Sequence, residues 1–460
     1  MIKMLIGDKA FYKRLLILMI PIMIQNGITN FVNMLDNIMI GAVGTPQMTG
    51  VAITNQLFFV FNLCVFGAVS GAGIFGAQFF GKNDEQGVRH TFRFKLLFCG
   101  LITVIGILLF TFCGEWLIDL YMKGDEGITD RAATAEYAMA YMKIMLIGLI
   151  PFTAVQCYSS TLREGGKPNL PMISGVCAVV VNLVLNYLLI FGKFGLPEMG
   201  VAGAAVATVI SRFTEIAIVA AASHLQIKKY PFLKGLYKGF RIPKKLVGQL
   251  LIKGLPLMLN ETLWASGLAV INQCYSQRGL DAVAACNISQ TFWNVFSIAY
   301  MATGAAIGII LGQMLGSGDL KNAKSTAYKL ITFSFSVATV IAVIYAICAE
   351  FIPLAYNTDD QIRHLATSLM QITALVMPFE ALTHASYFAM RSGGKMLVTF
   401  IFDNGFMWLV NVLLAYILSH FTAIPFLTIF AIVHAVSVVK AVLGILLVKN
   451  GFWVKNIISD

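Results

Sequence analysis

The chain of 460 residues is 58% hydrophobic and only 12% charged, whereas a soluble domain carries roughly 25% charged and 45–50% apolar residues. A single water-soluble core stops growing near ~250–300 residues, and the composition equally excludes a disordered chain, a collagen-like chain and a disulfide scaffold. Most of this chain must be solvated by lipid. The eight cysteines stand singly in or beside apolar stretches without CxxC spacing and read as small hydrophobes. The net charge of +11 belongs to the membrane surface rather than to nucleic acid, as the loops show.

In chain order, MIKMLIGDKAFYKR runs into an apolar stretch with no small-residue cleavage site, which predicts a retained first span. A helix needs about 20 apolar residues to cross ~30 Å of hydrocarbon. Twelve such runs lie near 15–39, 52–79, 93–114, 138–161, 170–191, 201–224, 249–273, 284–314, 326–348, 366–389, 396–419 and 424–447. Lipid cannot satisfy open backbone groups, and no alternating ~10-residue strands of a barrel are present. The expected fold is therefore all-α, a polytopic membrane protein with twelve transmembrane helices. With a cytoplasmic N-terminus, the inside loops hold 24 Lys and Arg against five outside. That positive-inside asymmetry places both termini in the cytoplasm of a cell whose plasma membrane the chain spans many times.

The chain also repeats itself. A shift of 235 aligns residues 15–84 with 250–319 without a gap, and 15 of 70 positions match. The matches include Pro21/Pro256, Asn37/Asn272, Gly44/Gly279, Gly73/Gly308, Gln78/Gln313, Gly81/Gly316 and Asp84/Asp319, residues with backbone or polar constraints rather than interchangeable leucines. Further on, REGGK at 163–167 matches RSGGK at 391–395, and Asn182 and Tyr187 match Asn411 and Tyr416. The expectation is two six-helix bundles, residues 1–224 and 249–460, joined by a solvated cytoplasmic linker at 225–248. Because six is even, both copies enter from the same side, so the pseudo-twofold runs along the membrane normal and the bundles face a central cleft. The ladders Gly73, Ala77, Gly81 and Gly308, Gly312, Gly316 predict close helix packing inside each bundle.

An acid at bilayer depth costs roughly 2.5–3.5 kcal/mol on insertion scales, so each is a functional candidate. Asp36 follows Pro21 in the first span, and Gln25, Asn26, Asn30 and Asn33 give that helix a polar stripe. Proline removes a backbone hydrogen bond and permits bending, which makes Pro21 and its repeat mate Pro256 candidate hinges. Asn182 and Asn186 share one face of the fifth span. With Asp36 and Thr208 they offer oxygens to a small hard cation; a polar packing pair without an ion is the alternative. Glu261 sits five residues after Pro256 where the first half has Asn26, and Asp403 lies with Asn404, Trp408 and Asn411 in the eleventh span. Glu215 and Arg212 read as a structural pair, and Glu380 lies on a helix shared with His384. Arg212 and Lys253 are taken as the basic residues deep in spans. No P-loop, HExxH or GxSxG motif is present, so neither ATP-driven transport nor an enzyme is indicated, and no cofactor is expected.

The Pro21 to DNIMIG segment ending at Gly41, the GAGIFGAQFFGKND stretch, the LREGGKP and MRSGGK loops and the GVAGAAVATVIS sixth span together resemble the multidrug and toxin extrusion (MATE) family over nearly the whole chain. The resemblance implies a monomeric secondary antiporter that exports amphipathic or cationic small molecules against entry of H⁺ or Na⁺ by rocker-switch alternating access. It implies an ion site at Asp36, Asn182 and Thr208, where Na⁺ would bind, with Pro21 as bending point and Glu261 as a coupling acid of the second half. The chain departs from many relatives in carrying Asn186 where they have Asp, which removes negative charge from the first site. A flippase for lipid-linked saccharides, from the same superfamily, is the alternative, and it would require basic residues facing a pyrophosphate.

Overall fold

The computed structural model describes residues 5–123, 130–356 and 358–459. Lys3, counted above among the inside charges, lies outside the described residues, as do the side chains of Asn33 and Lys123. The described chain is helical throughout: α1 (Lys9–Gly41), α2 (Thr45–Lys82), α3 (Glu85–Lys123), α4 (Arg131–Glu164), α5 (Asn169–Ile190), α6 (Gly200–Leu225), α7 (Lys244–Ser276), α8 (Leu280–Phe296), α9 (Ile298–Gly316), α10 (Leu320–Cys348), α11 (Asp360–Ser392), α12 (Met396–Phe421) and α13 (Phe426–Asn450). Among the described residues, eleven are long and apolar enough to cross a membrane. The other two are α7, which carries Lys253 and Glu261, and α8, of 17 residues. The expected span 284–314 is thus two helices that meet at Ser297, whose hydroxyl bonds the Asn294 carbonyl at 3.3 Å and so competes with the regular ladder.

The polar matches of the repeat have backbone causes. Asp84 Oδ1 accepts the Gly87 N–H at 2.8 Å and Asp319 Oδ1 that of Asn322 at 3.4 Å, so both mates cap the helix that follows. The residue before each cap, Asn83 (φ 58) and its mate Gly318 (φ 84), turns the chain through the left-handed region, where Asn and Gly are the residues that fit.

The small-residue ladders divide their work. A Cβ on Gly73 would lie 2.6 Å from Glu164 Oε1 of α4, and one on Gly308 3.1 Å from Phe388 of α11, both inside one half as expected. At the other end of the ladders the contacts are reciprocal instead: a Cβ on Gly81 would strike the Gln313 carbonyl, one on Gly316 the Gln78 carbonyl, and one on Gly312 would sit 2.8 Å from the Ala77 methyl. Gly81/Gly316, Gln78/Gln313 and Ala77/Gly312 are repeat mates. The end of α2 and the end of α9 therefore cross about a local twofold, since only that symmetry pairs i with j and j with i.

Between the REGGK/RSGGK loops and the Asn182/Asn411 match, the second half carries one residue more than the first. Arg163 and Lys167 match Arg391 and Lys395 at a separation of 228, but Asn182 and Tyr187 match Asn411 and Tyr416 at 229. Between those anchors α12 is π-helical over Ile401–Gly405 and Met407–Val412. A π turn has the i→i+5 hydrogen bond and so absorbs an extra residue without breaking the helix. The insertion falls on the stretch that holds Asp403 and Asn404.

Packing divides the chain into two compact units, one of Ile24–Gly76 and Asp84–Met258, the other of Met1–Met23, Ala77–Asn83 and Leu259–Asp460. These bounds differ from 1–224 and 249–460 because α1, α2 and α7 change packing partners along their length. In the first unit a Cβ on Gly71 would sit 2.6 Å from the Gly254 Cα and one on Gly67 2.6 Å from that of Met258. In the second unit Arg14 donates to Gln313 Oε1 at 2.7 Å and the Thr303 hydroxyl to Met19 Sδ at 3.0 Å.

The segment after α6 is not the solvated linker that its charge suggested. Tyr230, Phe232, Leu233 and Leu236 are all buried. Arg89 Nε donates to the Phe232 carbonyl at 3.1 Å, and Arg93 to the Leu236 and Gly235 carbonyls at 2.8 Å each. Tyr158 Oη hydrogen-bonds both His224 Nε2, at 3.0 Å, and Tyr237 Oη. The apolar residues interleaved with the lysines turn inward, while basic residues of α3 satisfy the turn carbonyls. In the neighbouring loop, burial and the adjacent Lys229 ammonium push Lys167 below the usual lysine range.

Candidate polar clusters in the two halves

In the first half, α1, α5 and α6 bring four expected residues into one hydrogen-bonded line. Asn186 Nδ2 donates to Asp36 Oδ1 at 2.6 Å and to Asn182 Oδ1 at 3.2 Å. Asn182 Nδ2 donates to Thr208 Oγ1 at 3.3 Å, and the Thr208 hydroxyl to the Ala204 carbonyl at 2.9 Å. The i, i+4 spacing of the two asparagines on α5 makes the middle of this line possible. Among the described residues no Lys, Arg or His lies within ion-pair distance of Asp36. Its carboxylate is met by an amide donor, which holds the anion without cancelling its charge. Three carboxylate or other strong metal-ligating side chains do not converge here or elsewhere among the described residues. Pro21 and Pro256 both lie inside continuous helices, α1 and α7.

The second half places its acids against bases. Asp403 Oδ1 lies 2.8 Å from Lys440 Nζ of α13, and Oδ2 accepts from Asn260 Nδ2 at 3.0 Å. Asn404 Nδ2 donates to Asn260 Oδ1 at 2.7 Å and to its carbonyl at 3.1 Å. One helix position along, Glu261 lies 3.9 Å from Arg391 Nη1, and the Arg391 guanidinium stacks over Tyr387 and Phe388. Glu380 accepts from Tyr300 Oη at 3.5 Å. Asn260, which bonds Asp403, is the sequence neighbour of Glu261, so the two acids approach the same turn of α7.

Three readings of the sequence need correction. Arg212 donates to the Gly148 carbonyl at 3.3 Å and lies over the Phe152 ring, and no Glu215–Arg212 ion pair is found among the described residues. Basic residues deep in spans are not limited to Arg212 and Lys253: Arg391 and Lys95 are buried and Lys440 is half-buried. Glu164 was read as part of a loop motif, yet it closes α4 in a buried pair, its two oxygens 2.6 and 2.8 Å from Lys95 Nζ, with Ser160 and Thr161 hydroxyls accepting the remaining ammonium protons at 3.1 Å. Neither Asn260 nor Lys440 was among the expected site residues: Lys440 lies within the last span but was not counted among the deep bases, although the burial cost of a charge at span depth applies to it as well, and Asn260 stands next to Glu261.

The pattern of the MatE family matches residues 21–188 and 256–417, the two halves of the repeat. The chain belongs to the MatE family. It is 26% identical over 449 residues to a protein of Thermotoga maritima described as a probable multidrug resistance protein NorM, covering 96% of this chain and 93% of that one. Its fold is similar to a mutant of the Vibrio cholerae MATE transporter VcmN, with TM-score 0.84, 17% identity and coverage of 97% and 98%. Its fold is also similar to that of a MOP superfamily transporter from Pyrococcus furiosus, described by a binding pocket of reverse polarity that suggests a different function, with TM-score 0.81, 17% identity and 97% of each chain covered. The MatE chain described here is a multi-pass helical membrane transporter and not an enzyme.

Proposed function

We propose that the chain is an antiporter of the cytoplasmic membrane, with both termini cytoplasmic, that exports amphipathic organic cations in exchange for an entering cation taken up at Asp36. The observation that supports this reading is the line from Asp36 through Asn186 and Asn182 to Thr208, in which the one acid is met by an amide and, among the described residues, by no basic partner. Such a carboxylate changes its charge when a proton arrives, and the loss of that charge alters its bond to Asn186. The proton is favoured over Na⁺ because Asn186 directs a donor at Asp36, where a metal ion requires another oxygen, and Thr208 Oγ1 already accepts from Asn182. Pro21 supplies the bend through which α1 responds, with Pro256 as its counterpart in α7, and the two halves alternate access by rocking.

The flippase reading has less support. The basic side chains Lys440, Arg391 and Lys95 each face an acid, so their charge is already compensated and not presented to a pyrophosphate. Efflux of a fluorescent cation from reconstituted vesicles, with pH and Na⁺ gradients imposed separately, tests the proposal. A pH gradient is expected to drive efflux by the wild type and not by Asp36→Asn. Gradient-driven efflux that survives Asp36→Asn would refute the assignment.

A further inference from the structure

Lys440 occupies a setting made for a cation. Its Nζ is 2.8 Å from Asp403 Oδ1 and lies over two ring faces, 5.5 Å from the centroid of Phe402 and 5.6 Å from that of Phe406. A carboxylate combined with aromatic faces is the group set that recognises an alkylammonium ion. Phe402, Asp403 and Phe406 all come from the π-helical region of α12, where the extra residue of the second half is absorbed. The carboxylate does not depend on Lys440 for its orientation: Asn260 holds the other oxygen at 3.0 Å, and Asn404 holds Asn260. Nor is the pair sealed, since the Lys440 and Asp403 side chains keep 14% and 19% of their exposure.

We propose that Phe402, Asp403 and Phe406 form an alkylammonium-binding site of the transporter, and that Lys440 is a tethered ligand that fills it until a cationic substrate takes its place. The inference rests on the export of organic cations proposed above and names the group by which they are held. Beyond its Cα the lysine side chain is n-butylammonium, so the site takes an ammonium on an alkyl arm. Exchange of one ammonium for another conserves the charge beside Asp403, and no carboxylate is left bare at any stage. A self-occupied site binds outside ligands more weakly by the fraction of time it is free; a lysine in place nine-tenths of the time lowers apparent affinity about tenfold.

Thermal unfolding of the full-length protein in lipid nanodiscs, titrated with n-butylammonium chloride, reads this directly, with n-butanol and equal sodium chloride as controls. Lys440→Met is expected to unfold at lower temperature in buffer and to be restored by n-butylammonium. Its half-saturating concentration should be about tenfold below that of the wild type, with no restoration by either control. The double variant Asp403→Asn, Lys440→Met is expected not to respond. If Lys440→Met does not fold, Lys440→Gln, which keeps a donor to Asp403, is titrated instead and the same shift is expected. Equal half-saturation in variant and wild type, or equal restoration by n-butanol, would overturn the proposal. The titration needs no gradient, so its failure leaves ion-driven export standing, and failure of gradient-driven efflux leaves the binding curve intact.

Discussion

The two halves hold polar clusters on the same set of helices and solve the same problem in opposite ways. In the first, Asp36 is met by the Asn186 amide and, among the described residues, by no base; in the second, Asp403 and Glu261 are met by Lys440 and Arg391. An acid held by neutral donors bears its desolvation cost with no opposite charge to offset it. An acid beside a base has a counter-charge within reach, and removing either partner leaves the other uncompensated. This contrast is what underlies the proposal that ion coupling belongs to the first half and cation recognition to the second.

The sharpest way to break this division is Asp36→Asn. Gradient-driven efflux should fall by at least ~100-fold, equivalent to about 2.7 kcal/mol, while equilibrium binding of the transported cation stays near the wild-type value. Loss of binding together with transport would place substrate in the first half and erase the distinction.

Asp403→Asn comes next and acts on stability. It leaves Lys440 without its counter-ion, and removing one partner of a buried pair costs about 3–5 kcal/mol; the residual exposure of this pair puts the expected loss near ~3 kcal/mol. Adding Lys440→Met should recover most of it, the coupling that a double-mutant cycle isolates. Reversible unfolding in detergent micelles measures both, and additive losses would mean that the pair does not interact.

Deletion of Gly405 takes one residue out of the π-helical stretch of α12, where the register between the halves changes. We expect α12 to become regular, the bonds from Asn404 to Asn260 to be lost at about 1 kcal/mol each, and the response to n-butylammonium to disappear, with Asp36-dependent coupling retained. Amide-proton exchange along α12 distinguishes the regular helix from the π-helical one. A deletion variant that keeps the ammonium response would separate the site from the insertion.

The smallest expected effect is that of Asn186→Asp, which restores a second carboxylate beside Asp36. A Na⁺ gradient should then drive efflux, with apparent Na⁺ affinity improved about tenfold, or ~1.4 kcal/mol. Vesicle efflux at fixed pH and graded Na⁺ measures it, and indifference to Na⁺ would show that charge alone does not set the coupling ion.

How much of this could be read beforehand depends on the kind of constraint. That Asp36 and Thr208 join the asparagines was implied by the family resemblance, whereas the all-helical fold, the repeat, the shared face of Asn182 and Asn186 and the candidacy of Asp36 were legible because spacing on a helix decides which side chains share a face and because an acid in an apolar run is rare. The partners of the second-half acids were not, since nothing along the chain brings Lys440 of α13 to Asp403 of α12 or Arg391 of α11 to Glu261 of α7; those meetings are made by packing between helices. The π-helical stretch was written in the one-residue change of register between REGGK/RSGGK and Asn182/Asn411, but a register change alone does not say whether it falls in a loop or a helix. The docked segment after α6 was hidden for another reason: its lysines dominate its composition, while its fold depends on four buried apolar residues and two arginines of α3.

The measurement that bears most directly on the division between the halves is proton movement during transport, followed with a pH dye trapped in vesicles as cationic substrate is added. The account predicts that Asp36→Asn binds substrate without proton movement, and that the double variant Asp403→Asn, Lys440→Met needs more substrate yet moves the wild-type number of protons per substrate exported. Protons moved by Asp36→Asn, or a changed proton count in the double variant, would contradict it.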